Sequence, residues 1–485
     1  MNPINKQKRR RYYHYSTSLY LLLVAFSINS CKKLVEVDPP VTSTNGENVY
    51  LSDATAAAVL TGIYINMSQD PLSNGNYPNS FMNFYPELSA DELTLFNAAS
   101  NQSYTAYYTN GLINTTTPNP WTNTYPLLFV INSAIEGLTG STSLTPAVKQ
   151  QLLGEAKFMR AFCYFYLVNL YADVPLVTTT DYKVNAVIAR SPRTLVYQQI
   201  ISDLKSAQKL LNTNYVYSDA ITITSERTRP TSWAATALLA RTYLYTQNWD
   251  SSETQATMII NNSGLYSLDT LNAVFLKNST EAIWQLQPVQ VGWNTQDAQL
   301  YTIPATGPSG TWPVYLSANL LNSFEPGDQR RINWVDSVTA GGVTYYYPYK
   351  YKSDTLNAPV TEYEMVLRLG EQYLIRAEAE AEQNDLTHAT YDLNVLRNRG
   401  GLLNTTATTQ SDLLAAIQHE RQVELFTEWG HRWLDLKRTG TIDAVMGAGG
   451  ACAAKGGNWN TNWQWYPIAL SEMQLNPDLV QNAGY

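Results

Sequence analysis

The sequence predicts a mainly α-helical protein, in which helix-turn-helix pairs form a scaffold and a loop-rich lobe contains a few short strands. Long stretches repeat apolar residues at steps of three and four, as amphipathic helices do. Several of these stretches carry small residues on one face, which lets neighbouring helices pack closely. Two long stretches between them have no helical period and are rich in Asn, Thr, Ser, Pro, Gly and aromatic residues.

The clearest helical pattern covers residues 152–170. Its apolar residues recur at helical spacing at Leu152, Ala156, Met159, Cys163, Tyr166 and Leu170. Further aromatic residues widen this face, so we expect the helix to be buried on most sides. It should end before Asp173 and Pro175, because the residue before a proline disfavours the helical conformation.

Two pairs of helices joined by short turns are typical of tetratricopeptide-like repeats. After a helix at 195–211, the first pair is predicted to begin at about Thr231, where Pro230 opens the helix, and to continue through 251–261.

The second pair is predicted at 364–383 and 387–397, where alanines lie in the first helix. A further helix is predicted at 411–429, with Gly430 as its C-terminal cap. We therefore expect the scaffold mainly at 127–262 and 364–440.

The loop-rich lobe is expected mainly at 66–126 and 263–363, with short strands at 282–286 and 343–347. Irregular segments of this length inside an ordered protein are usually functional or disordered. Their aromatic content favours an ordered, functional lobe.

Cys31 ends an N-terminal segment of the bacterial lipoprotein type. The basic residues Lys6, Lys8 and 9–11 precede an apolar run of about ten residues, too short to span a bilayer of roughly 30 Å. Cleavage before Cys31 would expose a cysteine that acyl chains can modify. An ordinary secretory signal, which needs no cysteine there, is the alternative. We expect a signal peptide at 1–30, a lipidated tether at 31–48 and a single domain at 49–485.

The charge balance excludes some classes of protein. The chain has a net charge of −8, and loss of five basic and no acidic residues with the signal peptide moves it to −13. A nucleic-acid-binding surface needs a basic footprint, so we expect no nucleic-acid partner. Charged residues make up only 15% of the chain, whereas it has 34 Tyr and 12 Trp, a composition that suits binding of neutral ligands.

No catalytic motif stands out, and we expect a protein without enzyme activity or cofactor. His419 and Glu420 begin a zincin-like pattern, but Val423 stands at the position of the second histidine ligand. Gly447 and Gly449 lack the third glycine of a dinucleotide loop, because Cys452 occupies its place. A structural calcium ion stays open as an alternative but is not indicated, because no segment has EF-hand spacing.

Two smaller features have structural interpretations. Glu87, Asp91 and Glu92 form an acidic cluster, which we interpret as a solvated helix start capped by Ser89. Cys163 lies on an apolar helical stripe and Cys452 in a Gly/Ala loop, and a disulfide between them stays open.

Several motifs follow one another in order after Cys31, including Gly154-Glu-Ala-Lys-Phe-Met-Arg160. The matching segments are 121–125, 132–136, 154–176, 315–330, 368–379, 420–438 and 476–485. In this order they make the sequence similar, over nearly its whole length, to the SusD/RagB family of outer-membrane lipoproteins.

The resemblance implies a SusD-like fold, with tetratricopeptide-like helix pairs and a loop-rich ligand-binding lobe. Such proteins are cell-surface lipoproteins of Bacteroidetes-type bacteria that cap a SusC-like TonB-dependent transporter and capture a nutrient, usually a glycan, for import. The implied location is the extracellular face of the outer membrane, with lipid anchoring through acylated Cys31. The implied partners are the transporter, an oligosaccharide and outer-membrane lipid.

Most of the matching residues are expected to belong to the scaffold. We expect Trp121 and Arg160 to be packed or ion-paired. In the charged run from Glu420 to Arg432, opposite charges at steps of three and four can pair along and between turns.

A sugar site needs aromatic platforms for the C–H faces of the rings and polar groups for the hydroxyls. Two stretches, 74–85 and 290–312, offer this mixture outside the periodic helices. The residues we predict to contact ligand are Trp293, Trp312, Tyr301, Tyr77, Phe81 and Asn294. The tryptophans are the preferred platforms, since Gly, Pro or polar residues flank them.

Other functions remain as alternatives to capture of an oligosaccharide. The same fold serves peptide capture of the RagB type, and extended peptides also bind aromatic grooves. A tetratricopeptide scaffold without a small ligand would carry its binding surface on the helices, which the long aromatic insertions argue against. A surface hydrolase is the remaining alternative, since paired carboxylates have no fixed spacing in a sequence.

Overall fold

Helices dominate the chain in a computed structural model, which describes residues 48–69, 81–97 and 101–485. Tyr50–Tyr485 forms one compact unit. The predicted signal segment, the lipidation site Cys31 and the candidate ligand residue Tyr77 lie outside the described residues. The helices are α1 (Asp53–Gln69), α2 (Phe81–Ser89), α3 (Gln102–Tyr108), α4 (Pro120–Gly140), α5 (Pro146–Tyr171), α6 (Tyr182–Asn185), α7 (Arg193–Leu210), α8 (Ser232–Tyr245), α9 (Trp249–Ile260), α10 (Gln296–Tyr301), α11 (Ala318–Ser323), α12 (Gln329–Asn333), α13 (Leu369–Glu382), α14 (Leu386–Arg399), α15 (Gln410–Leu425), α16 (His431–Arg438), α17 (Ile442–Met446), α18 (Ala451–Ala454) and α19 (Leu470–Leu475).

In the part of the chain that the structure describes, short strands form three two-stranded antiparallel sheets. The strands are β1 (Leu93–Leu95), β2 (Ala282–Leu286), β3 (Val314–Leu316), β4 (Val335–Ala340), β5 (Val343–Pro348) and β6 (Glu364–Arg368). The pairs are β1 with β3, β2 with β6, and β4 with β5. A mainly helical fold with a few short strands, two of them at the predicted places, is therefore confirmed. Among the described residues, no helix combines the length and apolarity needed to cross a bilayer.

The predicted helix pairs form and stack on each other. The turn 246–248 joins α8 to α9, the turn 383–385 joins α13 to α14, and α9 packs against α13. Small residues allow this close approach: Ala240 and Ala256 pack with Leu244 and Ile375 in one buried cluster. The long helix α5 ends at Tyr171, before Asp173, as predicted.

Two helix boundaries differ from the prediction. Residues 364–368 form strand β6, because they pair with β2, and helix α13 begins only at Leu369. Helix α15 ends at Leu425 instead of residue 429. The Lys350 ammonium binds the carbonyl oxygens of Glu424 and Phe426 at 2.9 and 2.8 Å, so it satisfies acceptors that a continuing helix would use.

Gly430 therefore has a different role from the predicted C-terminal cap. Its φ of +71° is left-handed, and it stands at the N-terminal cap of α16. A Cβ at this position would come within 2.9 Å of Met82 Cε and 3.0 Å of Pro86 Cβ. Both the backbone conformation and the close approach to α2 thus require glycine.

A buried charge cluster joins six separate parts of the chain. Its cations are Lys350, Arg330, Arg368 and Arg399, and its anions are Glu281, Asp328, Glu420, Glu424 and Glu428. Glu424 lies at its centre: Arg330 contacts one carboxylate oxygen at 2.9 Å, and Arg368 at 2.6 Å and Arg399 contact the other. Burial alone would raise the pKa of Glu424, but these three guanidinium groups hold it well below its usual range.

The charged run 420–432 is ion-paired as predicted, but not with itself. Glu420 and Glu424 bind Arg330, Arg421 binds Asp435 at 2.7 Å, and Arg432 binds Asp91 at 2.7 Å. Buried charges need partners and hydrogen bonds in every direction, which one helix face cannot supply. Arg160, predicted as a paired scaffold residue, binds Asp203 through two hydrogen bonds of 2.8 Å.

The acidic cluster near Ser89 is buried, so its interpretation as a solvated helix start was wrong. Glu87 and Glu92 are 0% exposed, and Ser89 ends α2 instead of starting a helix. Glu87 accepts a hydrogen bond from the Gly430 amide at 3.0 Å, and Glu92 accepts one from the Thr427 amide at 3.1 Å. These carboxyls satisfy the amides of the turn after α15, which explains their burial.

Asp297 and Glu364 add two more buried carboxyls next to α2. The Asn83 side-chain amide donates to Asp297 at 2.9 Å and to Glu364 at 2.6 Å. Burial raises the pKa of Asp297 to about 8 and that of Glu92 to about 7. Burial, and then the Asp297 charge, raise the pKa of Glu364 well above its ordinary value.

We predict that Arg368→Met lowers the free energy of unfolding by about 3–5 kcal/mol, because it leaves buried carboxylates without their cation. Urea denaturation of the soluble chain measures this. Lys209→Met, an exposed cation near the end of α7, is the control and should change stability by less than about 0.5 kcal/mol. Equal effects of the two substitutions would contradict a structural role for the cluster.

We also predict that the stability of Asp297→Asn falls less steeply with rising pH than that of the wild type. The folded protein keeps the Asp297 proton up to about pH 8, whereas the unfolded chain loses it near its ordinary value of 3.8. The stability that the buried, protonated Asp297 contributes is therefore full below pH 3.8, and it is lost as the pH rises towards about 8. Thermal unfolding at pH 5 to about pH 8.5 tests this, with Asp250→Asn on the exposed start of α9 as control. A variant whose melting temperature falls as steeply as that of the wild type would refute the assignment.

Candidate ligand-binding site

The two tryptophans predicted as platforms are both half-buried at the surface. The Trp312 indole N–H donates to the Gln299 carbonyl oxygen at 3.0 Å, so it also anchors its loop. Trp293 follows Gly292, whose φ of +83° turns the chain, and the Gly292 carbonyl accepts from the Asn357 amide at 2.6 Å. Within the described residues, no hydrogen bond engages the Trp293 indole N–H, which leaves it free for a ligand.

The other described candidates lie in the interior. Tyr301 is 2% exposed and donates its hydroxyl to the Asn83 carbonyl, and Phe81 is 1% exposed and stacks on Tyr85 at 4.9 Å. The Asn294 side chain accepts from the Thr361 amide at 2.8 Å and donates to the Pro359 carbonyl at 3.2 Å. All three side chains are buried: Tyr301 ties α10 to α2, Phe81 packs within α2, and Asn294 ties its loop to residues 359–361.

A cleft of about 690 Å³ lies beside the loop that carries Trp293. We call it the tyrosine cleft. It is formed by α1, the segments 216–218 and 226–229, the end of β2 with residues 287–289, and Tyr363. Its lining includes Tyr64, Tyr217, Tyr363, Glu226, Gln287 and Arg229.

The floor of the tyrosine cleft is held rigidly. Arg229 binds Glu155 at 2.5 Å and Thr61 Oγ1 at 2.7 Å, and its guanidinium lies 5.7 Å from the centre of the Tyr64 ring. The Tyr64 hydroxyl donates to Glu155 at 2.7 Å. Because these groups bind one another, their positions do not depend on a ligand.

The rim of the cleft offers groups that a ligand could use. Tyr217 is 51% exposed and presents an aromatic face, whereas Tyr363 is buried to 6% exposure. Burial, and then the nearby Glu226 carboxylate, raise the pKa of Tyr363 to about 12, so its hydroxyl stays protonated. Hydroxyl, carboxylate and Gln287 amide groups beside aromatic rings can bind a neutral polyhydroxylated molecule.

The loop that begins at residue 287 links the tyrosine cleft to Trp293, one of the two predicted platforms. Residues 286–289 line both the tyrosine cleft and a small neighbouring cavity of about 30 Å³, which Gln290 and Asn294 also line. Trp293 lies between these last two residues in the chain. A ligand that extends from the tyrosine cleft along the loop would therefore approach Trp293.

Sequence reasoning missed the tyrosines of this cleft. Tyr64 lies on α1 and Tyr363 next to β6, and neither follows a recognisable pattern. Tyr217 lies in an irregular stretch where Val216 pairs with Ile223, and no residue spacing marks it as exposed.

The described part of the chain contains neither a cluster of metal ligands nor a disulfide. Residues 48–69, 81–97 and 101–485 contain no group of three or more His, Cys, Asp or Glu side chains arranged to hold a metal ion. Cys163 and Cys452 are both buried and both free. Burial raises the pKa of Cys163 to about 12, which keeps it an unreactive thiol.

Family models match both halves of the chain. Residues 322–485 match the model described as "SusD family", and residues 40–244 match the model described as "Starch-binding associating with outer membrane". These two matches cover the second helix pair, nearly all of α8, and residues 66–126 and 322–363 of the loop-rich lobe.

Individual proteins show the same likeness. The chain is 26% identical to a SusD-like protein of Formosa agariphila, over 96% of this chain and 98% of that protein. Surface glycan-binding protein A from Bacteroides uniformis has a similar fold, with a TM-score of 0.75 at 20% identity over 89% of this chain and 99% of that one. A laminarin-binding SusD-like protein has a TM-score of 0.71 at 22% identity, with the same coverage of both chains.

The ordered motifs, the stacked helix pairs with their short-stranded lobe, and the two family models agree. This chain belongs to the SusD/RagB family.

Proposed function

We propose that this protein is a cell-surface lipoprotein that binds an oligosaccharide and delivers it to a SusC-like TonB-dependent transporter of the outer membrane. The observation that carries the proposal is the tyrosine cleft of about 690 Å³, whose lining joins aromatic rings to hydroxyl, amide and carboxylate groups. The ligands named for two similar folds, laminarin and surface glycans, support a carbohydrate ligand.

The chemistry of the cleft favours a sugar. Sugar rings carry flat C–H faces that pack on aromatic rings, and hydroxyls that need both donors and acceptors. The exposed Tyr217 ring and the half-buried Trp293 ring supply faces, whereas Gln287 and Glu226 supply polar partners at the cleft. Buried Tyr301 and Asn294 hold α10 and the Trp293 loop in place through their hydrogen bonds.

The proposed location rests on the N-terminal sequence and on the family. Cys31 follows a basic head and a short apolar run, and acyl chains on it would anchor the protein through about 0.8 kcal/mol for each buried CH₂ group. The family description "associating with outer membrane" supports this place. Delivery to a transporter follows from the family resemblance and needs no catalytic group.

We predict that Trp293→Ala and Tyr217→Ala each weaken glycan binding about tenfold, because each removes a stacking face worth roughly 1 kcal/mol or more. The test titrates soluble residues 32–485 with laminarin and starch oligosaccharides and with mixed peptides by calorimetry. Tyr391→Ala, which removes a ring of 66% exposure on α14, is the control and should bind normally.

Unchanged glycan affinity in both Trp293→Ala and Tyr217→Ala would contradict this assignment of the site. Binding of peptides alone would favour peptide capture over glycan capture. Release of shorter sugars during incubation would instead indicate a hydrolase.

We predict that Cys31→Ser moves the full-length protein from the membrane fraction to the soluble fraction of the native host, because the serine cannot carry the thioether-linked lipid. Fractionation and immunoblotting measure this. A variant that remains in the outer-membrane fraction and exposed to added protease would contradict lipid anchoring at this residue.

A further inference from the structure

A second cleft, of about 710 Å³, lies on the helical scaffold at a place that the proposed function does not use. It is bounded by the start of α7, the end of α8, the end of α16 and residues 464–465. We call it the basic cleft. Its lining residues are Asn169, Arg193, Thr194, Tyr197, Gln198, Ile201, Tyr245, Thr246, Gln247, Lys437, Arg438, Gln464 and Trp465.

The basic cleft carries positive charge in an otherwise acidic chain. Arg193 and Lys437 lie 5.0 and 4.6 Å from the centre of the Trp465 ring. Among the ion pairs of the described residues, neither cation has a carboxylate within 4 Å. Arg438 also lines the cleft, but Glu378 and Asp435 neutralise it at 2.5 and 2.6 Å.

In the described part of the chain, the Lys437 ammonium has no opposite charge beside it, and a bound anion would supply one. Its hydrogen bond goes to the uncharged carbonyl of Asn169. Burial, and then the Arg193 charge, depress the pKa of Lys437 well below its ordinary value. A bound anion would offset both effects, because it supplies the opposite charge that the protein omits.

The first turn of α7 borders the basic cleft, and a carboxylate of the chain already lies beside it. Arg193 and Thr194 begin the helix, and its N-cap residue Pro192 makes no side-chain capping hydrogen bond. Asp173 lies nearby and accepts from the Arg193 backbone amide at 2.9 Å, so it satisfies one amide of the turn. A helix start of this kind attracts anions.

The rest of the lining suits a sugar and leaves a buried group unsatisfied. Gln198, Gln247 and Gln464 supply amides, and Tyr197 and Tyr245 supply rings. Within the described residues, the buried Tyr245 hydroxyl has no hydrogen-bond partner. This atom is closed to solvent, so the cleft presents the ring of Tyr245 and not its hydroxyl.

We propose that the basic cleft binds an acidic saccharide, with its carboxylate or sulfate beside Arg193 and Lys437 and its hydroxyls on the amides of Gln198, Gln247 and Gln464. This site is separate from the tyrosine cleft and does not depend on it. A neutral sugar lacks the group that the two cations require, so the two clefts differ in the charge of the sugar that they accept.

The experiment titrates soluble residues 32–485 with a galacturonic acid trisaccharide, a sulfated galactose trisaccharide, the neutral galactose trisaccharide and sodium sulfate. We expect at least one acidic trisaccharide to bind, with an affinity that falls as salt rises, and the neutral one not to bind at this site. Binding of the first alone identifies a carboxylate site, and binding of the second alone identifies a sulfate site.

Arg193→Met and Lys437→Met should each weaken that binding about tenfold, as expected for a lost charge-assisted hydrogen bond. Arg193 is exposed, so its variant tests the site even if Lys437→Met perturbs folding. Lys209→Met removes an exposed cation about 24 Å further along α7 and should bind normally. Trp293→Ala should also bind the acidic sugar normally, which separates this site from the tyrosine cleft.

Several results would overturn the proposal. These are the absence of binding by both acidic trisaccharides, equal binding of the neutral trisaccharide, binding of sulfate alone, and unchanged affinity in Arg193→Met and Lys437→Met. Loss of acidic-sugar binding in Trp293→Ala alone would place that ligand in the tyrosine cleft and would overturn it too.

Discussion

The convergence of three arginines on the buried carboxylate of Glu424 is the interaction on which the rest of the fold depends. Arg330, Arg368 and Arg399 come from α12, the end of β6 and the end of α14, so one side chain of α15 ties three distant segments together. Each charge would be costly to bury alone, and only the complete set satisfies them all. The cluster therefore selects one arrangement of these segments against others that would leave a charge unpaired.

The cluster also positions the ligand lobe. Arg368 ends β6, and its strand pairs with β2, which leads directly into the loop 287–296 with Trp293. The carboxyls of Glu87 and Glu92 bind the turn after α15 and so hold α2, which is part of the lobe, against that turn. Loops that carry aromatic side chains to the surface are thus held by buried polar contacts. Because these loops are already held in place, ordering them costs little free energy when a sugar binds.

The sequence predicted the repeating part of the molecule well, because helical spacing is a local property. The pairs α8–α9 and α13–α14 follow from it, whereas the end of α5 follows from Asp173 and Pro175. The strand at 282–286 lies in a stretch without helical period, as predicted. It failed where partners lie far apart in the chain: residues 364–368 look helical but pair with β2, and the charges of 420–432 pair elsewhere. Burial of Phe81, Tyr301 and Asn294 and the tyrosine cleft arise from loop packing, which no residue spacing encodes.

The central claim is that the tyrosine cleft and the Trp293 loop form one sugar-binding surface. Hydrogen–deuterium exchange of the soluble protein, with and without laminarin oligosaccharides at saturating concentration, measures this directly. The account predicts slower exchange in 216–229 and in the loop 287–294, with no change in the helix pair α13–α14. Protection confined to the helix pairs, with both of those segments unchanged by bound oligosaccharide, would contradict it.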